Sequence, residues 1–293
     1  MERREFLRSG AAALASVCFS DSSSAERASP AGLGRFRLKY APHFGMFKHS
    51  AGDDLVDQLK FAADQGFVAW QDNGLKSRSI EVQEKIGRTV AALSIEMGVF
   101  VASASFPPAA HGKPHDDAAC RQLLNDIRDS VEVAKRVHSQ WLTIVPGRAS
   151  DARGAALQSP QSVDLLRRCC DLLEPHGLFL VLDPCSWGRQ APAAQAVGSP
   201  SYKILFDLAR WHMTAGGLAS KIDAAWPAIA YVHCADNPGR KEPGTGSIDF
   251  RHVFQQLAAR GYPGIVGMEH GNSQPGAAGE RAVIEAYVAA DRG

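Results

Sequence analysis

The chain has 293 residues, 45% of them hydrophobic and 22% charged, with a formal net charge of +1. This is the composition of a globular protein, and near-neutral charge argues against a nucleic-acid-binding protein, which carries a basic face. The length admits two domains, and it also suits one α/β barrel, a fold of about 250 residues.

The first segment, "MERREFLRSGAAALASVCFS", has a charged start with Arg3-Arg4, then Phe6-Leu7, then a weakly apolar run from Gly10 to Phe19. A Ser-rich stretch ends at Ala25. The pattern reads as a twin-arginine export signal cleaved after Ala25 or Ala28; a disordered basic tail is the other reading. Residues 1–34 are therefore assigned to signal and linker, and 35–293 to one barrel domain. The partner implied is the twin-arginine export machinery, and the location is periplasmic or exported. The apolar run is too short for a stable membrane span. A homo-oligomer is allowed by the composition.

From residue 35 onward, a short apolar run, a turn and a helical stretch recur eight times. The strand candidates are "RLKYA", "FVAWQ", "GVFVAS", "WLTIVP", "LFLVLD", "KILFD", "AYVHC" and "GIVGME". Between them, "DDLVDQLKFAADQG" sets Leu55, Leu59 and Ala62 on one face and stops at Gly66. "DDAACRQLLNDIRDSVEVAKRV" repeats the pattern, and "SPQSVDLLRRCCDLLEPHG" has Pro160 near its first turn and Gly177 at its end. "IDFRHVFQQLAARG" and "GAAGERAVIEAYVAA" supply two more. Strands apolar throughout are covered on both faces, as in parallel sheets. Repeated strand–helix units of that kind point to a single (β/α)8 barrel. A doubly wound open sheet is the rival, but no G-x-G-x-x-G follows a strand. Cys120, Cys169, Cys170, Cys185 and Cys234 remain after the signal, an odd, scattered set that suits small core residues better than a disulfide framework.

Barrel active sites lie at the C-terminal ends of the strands. There the chain places His43, Gln71, Asp183, Asp207, His233 and Glu269. Singly, an Asp at a strand end is more often a helix cap, and a buried His a satisfied core residue. Asp183, Asp207, His233 and Glu269, ending four successive strands, instead form a set able to hold a divalent cation. Three oxygen donors and one nitrogen favour Mn2+, with Mg2+ or Co2+ next.

In "KYAPHFGMF", "DQLKFAADQGF", "DNG", "SVEVAKRV", "VPG", "KILFD", "ADNPGRKEPGTG" and "GMEHGNS" the sequence resembles the xylose isomerase-like barrel superfamily, and within it the hydroxypyruvate isomerase-like proteins. The resemblance runs in order from about Leu38 onward. It implies an isomerase or epimerase acting on a small keto-sugar or hydroxy-keto acid, with one divalent metal and two carboxylates that pass a proton through an enediolate. By the same resemblance, Asp207, His233 and Glu269 match metal ligands, and Asp183 and Glu269 are the catalytic carboxylates. Arg240 and His43 would orient substrate.

The chain departs from the family pattern in places. Asp183 stands where relatives carry a longer Glu. Arg210 occupies the place of a substrate-facing His, and Gln71 that of an acid, so both are counted as candidate substrate-binding residues. Only 23 residues separate Asp183 from Asp207. These departures keep open an exported, metal-bound sugar-binding protein with little catalysis. An endonuclease IV-like DNA repair enzyme on the same barrel fits poorly, since that chemistry needs more His ligands.

Overall fold

The computed structural model describes residues 36–104, 106–107, 117–145, 159–182 and 196–292. The signal segment and Asp183 therefore lie outside the described residues.

Each expected strand is present. They are β1 (Lys39–Ala41), β2 (Ala69–Trp70), β3 (Glu96–Met97), β4 (Phe100–Ser103), β5 (Trp141–Ile144), β6 (Phe179–Leu182), β7 (Tyr202–Asp207), β8 (Ile229–Cys234) and β9 (Ile265–Met268). A seven-stranded sheet runs β1-β9-β8-β7-β6-β5-β4, and β2 pairs with β3, every ladder parallel. Only Gly98 and Val99 separate β3 from β4, so the two form one broken stave that pairs with β2 below and β5 above. The remaining seam closes through a parallel bridge between His43 and Gln71, with the Gln71 amide donating to the Pro42 carbonyl at 2.9 Å. The staves thus complete a ring, which is the (β/α)8 barrel expected.

The helices outside are α1 (Lys48–Ala51), α2 (Leu55–Asp64), α3 (Ile80–Ala92), α4 (Ala118–Val137), α5 (Pro160–Leu173), α6 (Leu208–His212), α7 (Leu218–Ala225), α8 (Phe250–Ala259) and α9 (Gly276–Arg292). Their starts follow from short polar caps. Asp54, Ser79, Asp117, Ser159, Asp207 and Asp249 each accept a backbone N–H from the first turn. Pro160 begins α5, where its missing N–H costs nothing. α2 stops where Gly66 turns left-handed at φ +89°.

Two apolar layers result. Leu59, Ile86, Leu123, Leu166, Trp211, Phe254 and Tyr287 belong to the core between staves and helices. Ala41, Ala69, Val99, Val181, Leu205, Tyr231 and Ile265 form a separate cluster inside the ring, each from a different stave. Tyr231 is its largest member and is fully buried. Small residues make room for it: a Cβ on Gly98 would lie 2.3 Å from the Tyr231 hydroxyl. The four free cysteines among the described residues, Cys120, Cys169, Cys170 and Cys234, are buried, consistent with core packing. Asp291 near the end of α9 accepts the Tyr40 hydroxyl at 2.9 Å and the Arg37 amide at 2.7 Å, tying the first stave to the last helix. No described helix is long and apolar enough to cross a membrane.

Candidate active site

Register decides which side chains meet at the C-terminal end of the ring. Asp207 on β7 is level with His233 on β8, and His233 is level with Gly267 on β9. Side chains two apart on a strand share a face, so Glu269 stands on the same side as Gly267, one step higher. Gly267 is required there: a Cβ would fall 2.0 Å from Gln71 Oε1 and 3.0 Å from His233 Cδ2.

That gap admits Gln71. It is fully buried, its Nε2 donating to Glu269 Oε2 at 2.9 Å and its Oε1 accepting the Tyr231 hydroxyl at 3.0 Å. Tyr231 in turn accepts the Val99 amide at 3.3 Å. Asn73 Nδ2 holds the other side of Glu269, at 3.1 Å from Oε1. The Glu269 carboxylate is therefore fixed by two amides, with 29% of its side chain left open. Burial works against its ionised form, yet its pKa lies below the usual range because the Asn73 hydrogen bond and the Arg240 guanidinium, with His233 when it is protonated, outweigh that penalty. It is a carboxylate at neutral pH, as a proton acceptor must be.

His233 is the complementary group. Burial lowers its pKa against the pull of Glu269 and Asp207, which favours the neutral, metal-binding imidazole. Its Nε2 is buried with no hydrogen-bond partner, a costly arrangement unless something else meets that lone pair. Glu269 Oε2 lies 3.8 Å from it. Two atoms that bind one cation at about 2.1 Å each can be at most about 4.2 Å apart, so this pair could share an ion.

Asp207 does not join them in this arrangement. Its carboxylate accepts Arg240 Nη2 at 3.1 Å and the Arg210 amide at 3.0 Å, the second contact capping α6. Among the described residues no three His, Cys, Asp or Glu side chains converge as a metal-holding group. The physical reason is charge: a buried Asp207 with a guanidinium at hand pairs with it.

Arg240 also donates to the Glu269 carbonyl at 3.2 Å. Its backbone is left-handed at φ +46°, rare for a side-chain-bearing residue and a sign that the loop is held firmly. Asp236 does the holding, since its carboxylate accepts the amides of Asn237, Gly244, Gly246 and Ile248 at 2.8–3.1 Å. The loop after β8 is thus built around one buried acid.

A cleft of about 530 Å³ opens above Glu269, lined by His43, Phe44, Asp72, Asn73, Gly74, Arg78, Arg240, His270 and Gly271. His43 and Arg240 both line it. Two other expectations change. Gln71 lies beneath Glu269 and out of the cleft, so its place is to seat the carboxylate. Arg210 stands behind Asp207, its Nε 3.8 Å from Oδ2, and does not line the cleft. His270, one position beyond Glu269, turns away from it: its Nε2 meets the Tyr287 hydroxyl at 2.9 Å, and burial brings its pKa down to about 4. His212 meets Ser247, away from the cleft.

Sequence reasoning missed Arg78 and Asp72. Arg78 Nε donates to Asp72 Oδ2 at 2.5 Å, and its guanidinium lies 4.8 Å over the Phe44 ring. The signal was in "DNGLKSR", where the turn after β2 brings Arg78 back over the strand end, but nothing in the spacing of that stretch marks a cleft residue. Asn73 and Tyr231 were equally silent.

The family model for the xylose isomerase-like TIM barrel matches residues 59–287. A putative hydroxypyruvate isomerase of Mus musculus is 39% identical over 174 residues, 54% of this chain and 62% of that protein. Its Homo sapiens counterpart by name is 27% identical over 250 residues, 72% of this chain and 89% of that protein. Among solved structures, a family 2 AP endonuclease from Brucella melitensis superposes with a TM-score of 0.66 at 18% identity, covering 83% of this chain and 96% of that one, a likeness of fold alone. The chain belongs to the xylose isomerase-like TIM-barrel family.

Proposed function

We propose that the chain is an isomerase or epimerase of a small keto-sugar or hydroxy-keto acid that works through an enediolate with one divalent metal. The observation that carries this is Glu269: an anionic carboxylate gripped by Gln71 and Asn73 at the floor of a polar cleft, beside the unpartnered Nε2 of His233. The names of the mammalian relatives support the same class of reaction.

His233 and Glu269 would hold the ion, with Asp207 and Asp183 completing the donor set. Oxygen-rich donors with one imidazole favour Mn2+, and Mg2+ or Co2+ would also serve. When bound, the metal polarises the substrate carbonyl and its neighbouring hydroxyl. Glu269 takes a proton from the hydroxyl-bearing carbon next to the carbonyl, and Asp183 returns one. Arg240 and His43 orient the substrate oxygens. Arg240 lines the cleft beside Glu269, and its guanidinium, here paired with Asp207, would be freed for substrate when Asp207 turns to the ion.

The test is solvent exchange. Hydroxypyruvate and a panel of ketoses are incubated with the protein in deuterated water with Mn2+. Deuterium should enter the carbon next to the carbonyl, and Glu269→Gln and Asp183→Asn should each remove the exchange. Ligand binding without exchange in the parent would instead support a sugar-binding protein. Exchange in Asp183→Asn equal to the parent would refute the role given to Asp183.

We propose further that Arg3-Arg4 direct export by the twin-arginine route, which carries folded cargo. Changing both to Lys should leave the protein in the cytoplasm; normal export after that change would refute the assignment.

A further inference from the structure

The two oxygens of the Glu269 carboxylate have different neighbours. Oε2 accepts Gln71 Nε2 at 2.9 Å and lies 3.8 Å from the unpartnered His233 Nε2. Both of those residues are buried, Gln71 completely, and neither lines the cleft. Among the described residues, Asn73 Nδ2 is the one hydrogen-bond donor to Oε1, at 3.1 Å. The same amide reaches Oε2 at 3.2 Å, the longer arm of a forked contact. Unlike Gln71, Asn73 is exposed and lines the cleft together with Glu269.

Lone pairs decide what each oxygen can still do. An ionised carboxylate oxygen offers about two acceptor sites. On Oε2 one is taken by Gln71, which leaves the other for an ion shared with His233. On Oε1 one is taken by Asn73, which leaves the other for a proton from a ligand in the cleft.

The two amides are also held by separate devices. The Val99 amide can only donate, so the Tyr231 hydroxyl that accepts it at 3.3 Å turns its own proton to Gln71 Oε1 at 3.0 Å. That fixes the sense of the Gln71 amide, with Nε2 left for Glu269. Asn73 instead hangs on the turn after β2. Asp72 anchors this turn, its Oδ1 accepting the Gly74 amide at 3.1 Å and its carbonyl the Leu75 amide at 3.1 Å. One support is therefore rooted inside the ring and the other at the cleft rim.

We infer, given the isomerase activity proposed above, that the two oxygens divide the work, Oε2 holding the ion and Oε1 taking the proton, with Asn73 the positioning residue for Oε1. Calorimetric titration with Mn2+, and deuterium exchange by the Mn2+-saturated protein, compare the parent with Asn73→Ala and Gln71→Leu. Asn73→Ala should bind Mn2+ within about threefold of the parent, yet lower kcat for exchange about tenfold with little change in KM, because the base is no longer aimed. Gln71→Leu should weaken Mn2+ binding about tenfold or more, as loss of a group that orients a metal ligand does. Where Gln71→Leu is too unstable to titrate, Tyr231→Phe frees the Gln71 amide to turn and should shift the affinity in the same direction by less. A merely structural Asn73 would lower the melting temperature and leave kcat per Mn2+-loaded molecule unchanged. Exchange in Asn73→Ala at the parent's rate, or Mn2+ affinity falling as far in Asn73→Ala as in the Gln71 or Tyr231 variant, would overturn the inference. Absence of exchange with every ligand in the parent would overturn the isomerase reading instead, and the affinity comparison would still decide whether the two amides serve different oxygens.

Discussion

Replacing Gln71 by Leu keeps the volume near that of the buried amide and removes two hydrogen bonds at once. One is a charged contact to Glu269 at 2.9 Å, the other a neutral contact from Tyr231 at 3.0 Å. A charged bond contributes about 1.5–3 kcal/mol and a neutral one about 1 kcal/mol, and the Tyr231 hydroxyl would keep a buried proton with no acceptor. Glu269 retains Asn73 and partial exposure, which moderates the loss. The expected destabilisation is about 2–4 kcal/mol, or roughly 5–15 °C in melting temperature for a domain of this size. Urea unfolding and calorimetry measure it. Gln71→Glu gives an independent signature. A carboxyl buried beside Glu269 has its folded pKa raised above the unfolded value of about 4.3 by burial and like charge. The folded state then binds more protons than the unfolded, so stability falls as pH rises from about 4.3 through the folded pKa. The deficit relative to the parent should be smallest in acid and grow towards neutrality. A Gln71→Leu protein within about 0.5 kcal/mol of the parent, or a Gln71→Glu deficit independent of pH, would refute the seating role.

Gly267→Ala should drive the Gln71 amide from its place, because the new Cβ falls 2.0 Å from Oε1; overpacking of about 1–3 kcal/mol is expected, and a variant as stable as the parent by urea titration would contradict the close approach. Metal analysis after dialysis against Mn2+ should find about one ion per chain in the parent and a marked loss in His233→Ala and Glu269→Gln, with melting temperature tracking the metal by mass action; unchanged content would remove both from the donor set. Asp126 has its pKa lowered, because Ser103, Lys76 and Gln122 together outweigh the penalty of burial. Its contribution is present above the unfolded pKa and lost as pH falls through the folded one. Asp126→Asn should therefore cost up to about 1 kcal/mol at pH 7, and the cost should shrink only as pH falls from about 4 through the lower folded pKa, as read by unfolding across that range.

The staves were legible because each is a short apolar run ended by a polar group, and a parallel barrel has no other use for that pattern. The helices were legible where a cap and a Gly or Pro bracket an apolar face, as in α2 and α5. The third stave was less so: Glu96 and Met97 lie beneath the apolar run at its head, and only pairing with β2 reveals them as strand. In the site, Asp207, His233 and Glu269 announce themselves as chemistry-bearing groups at strand ends. Which way each turns is another matter. Asp207 faces Arg240 because of a loop drawn together by Asp236, a contact across many residues that carries no local mark. Gln71 reads as a strand-end polar group like any other, and its burial depends on Gly267 nearly two hundred positions away, at the join of the ring.

Tyr231 deserves a last consequence as the point where filling and function coincide. Its ring occupies the middle of the barrel while its hydroxyl supports the amide that supports Glu269. In many barrels the lower half can be redesigned for robustness and the upper half for chemistry as independent projects. Here an engineer who repacks the interior with Phe at 231 would expect a modest change in robustness and would also loosen the Glu269 carboxylate two contacts away. Changes at 71, 231 and 267 should therefore behave as one linked variable, with a coupling energy in pairwise cycles of about 0.5–3 kcal/mol. A new specificity is better sought in the turn after β2, where Arg78 lines the cleft and can change without disturbing that column.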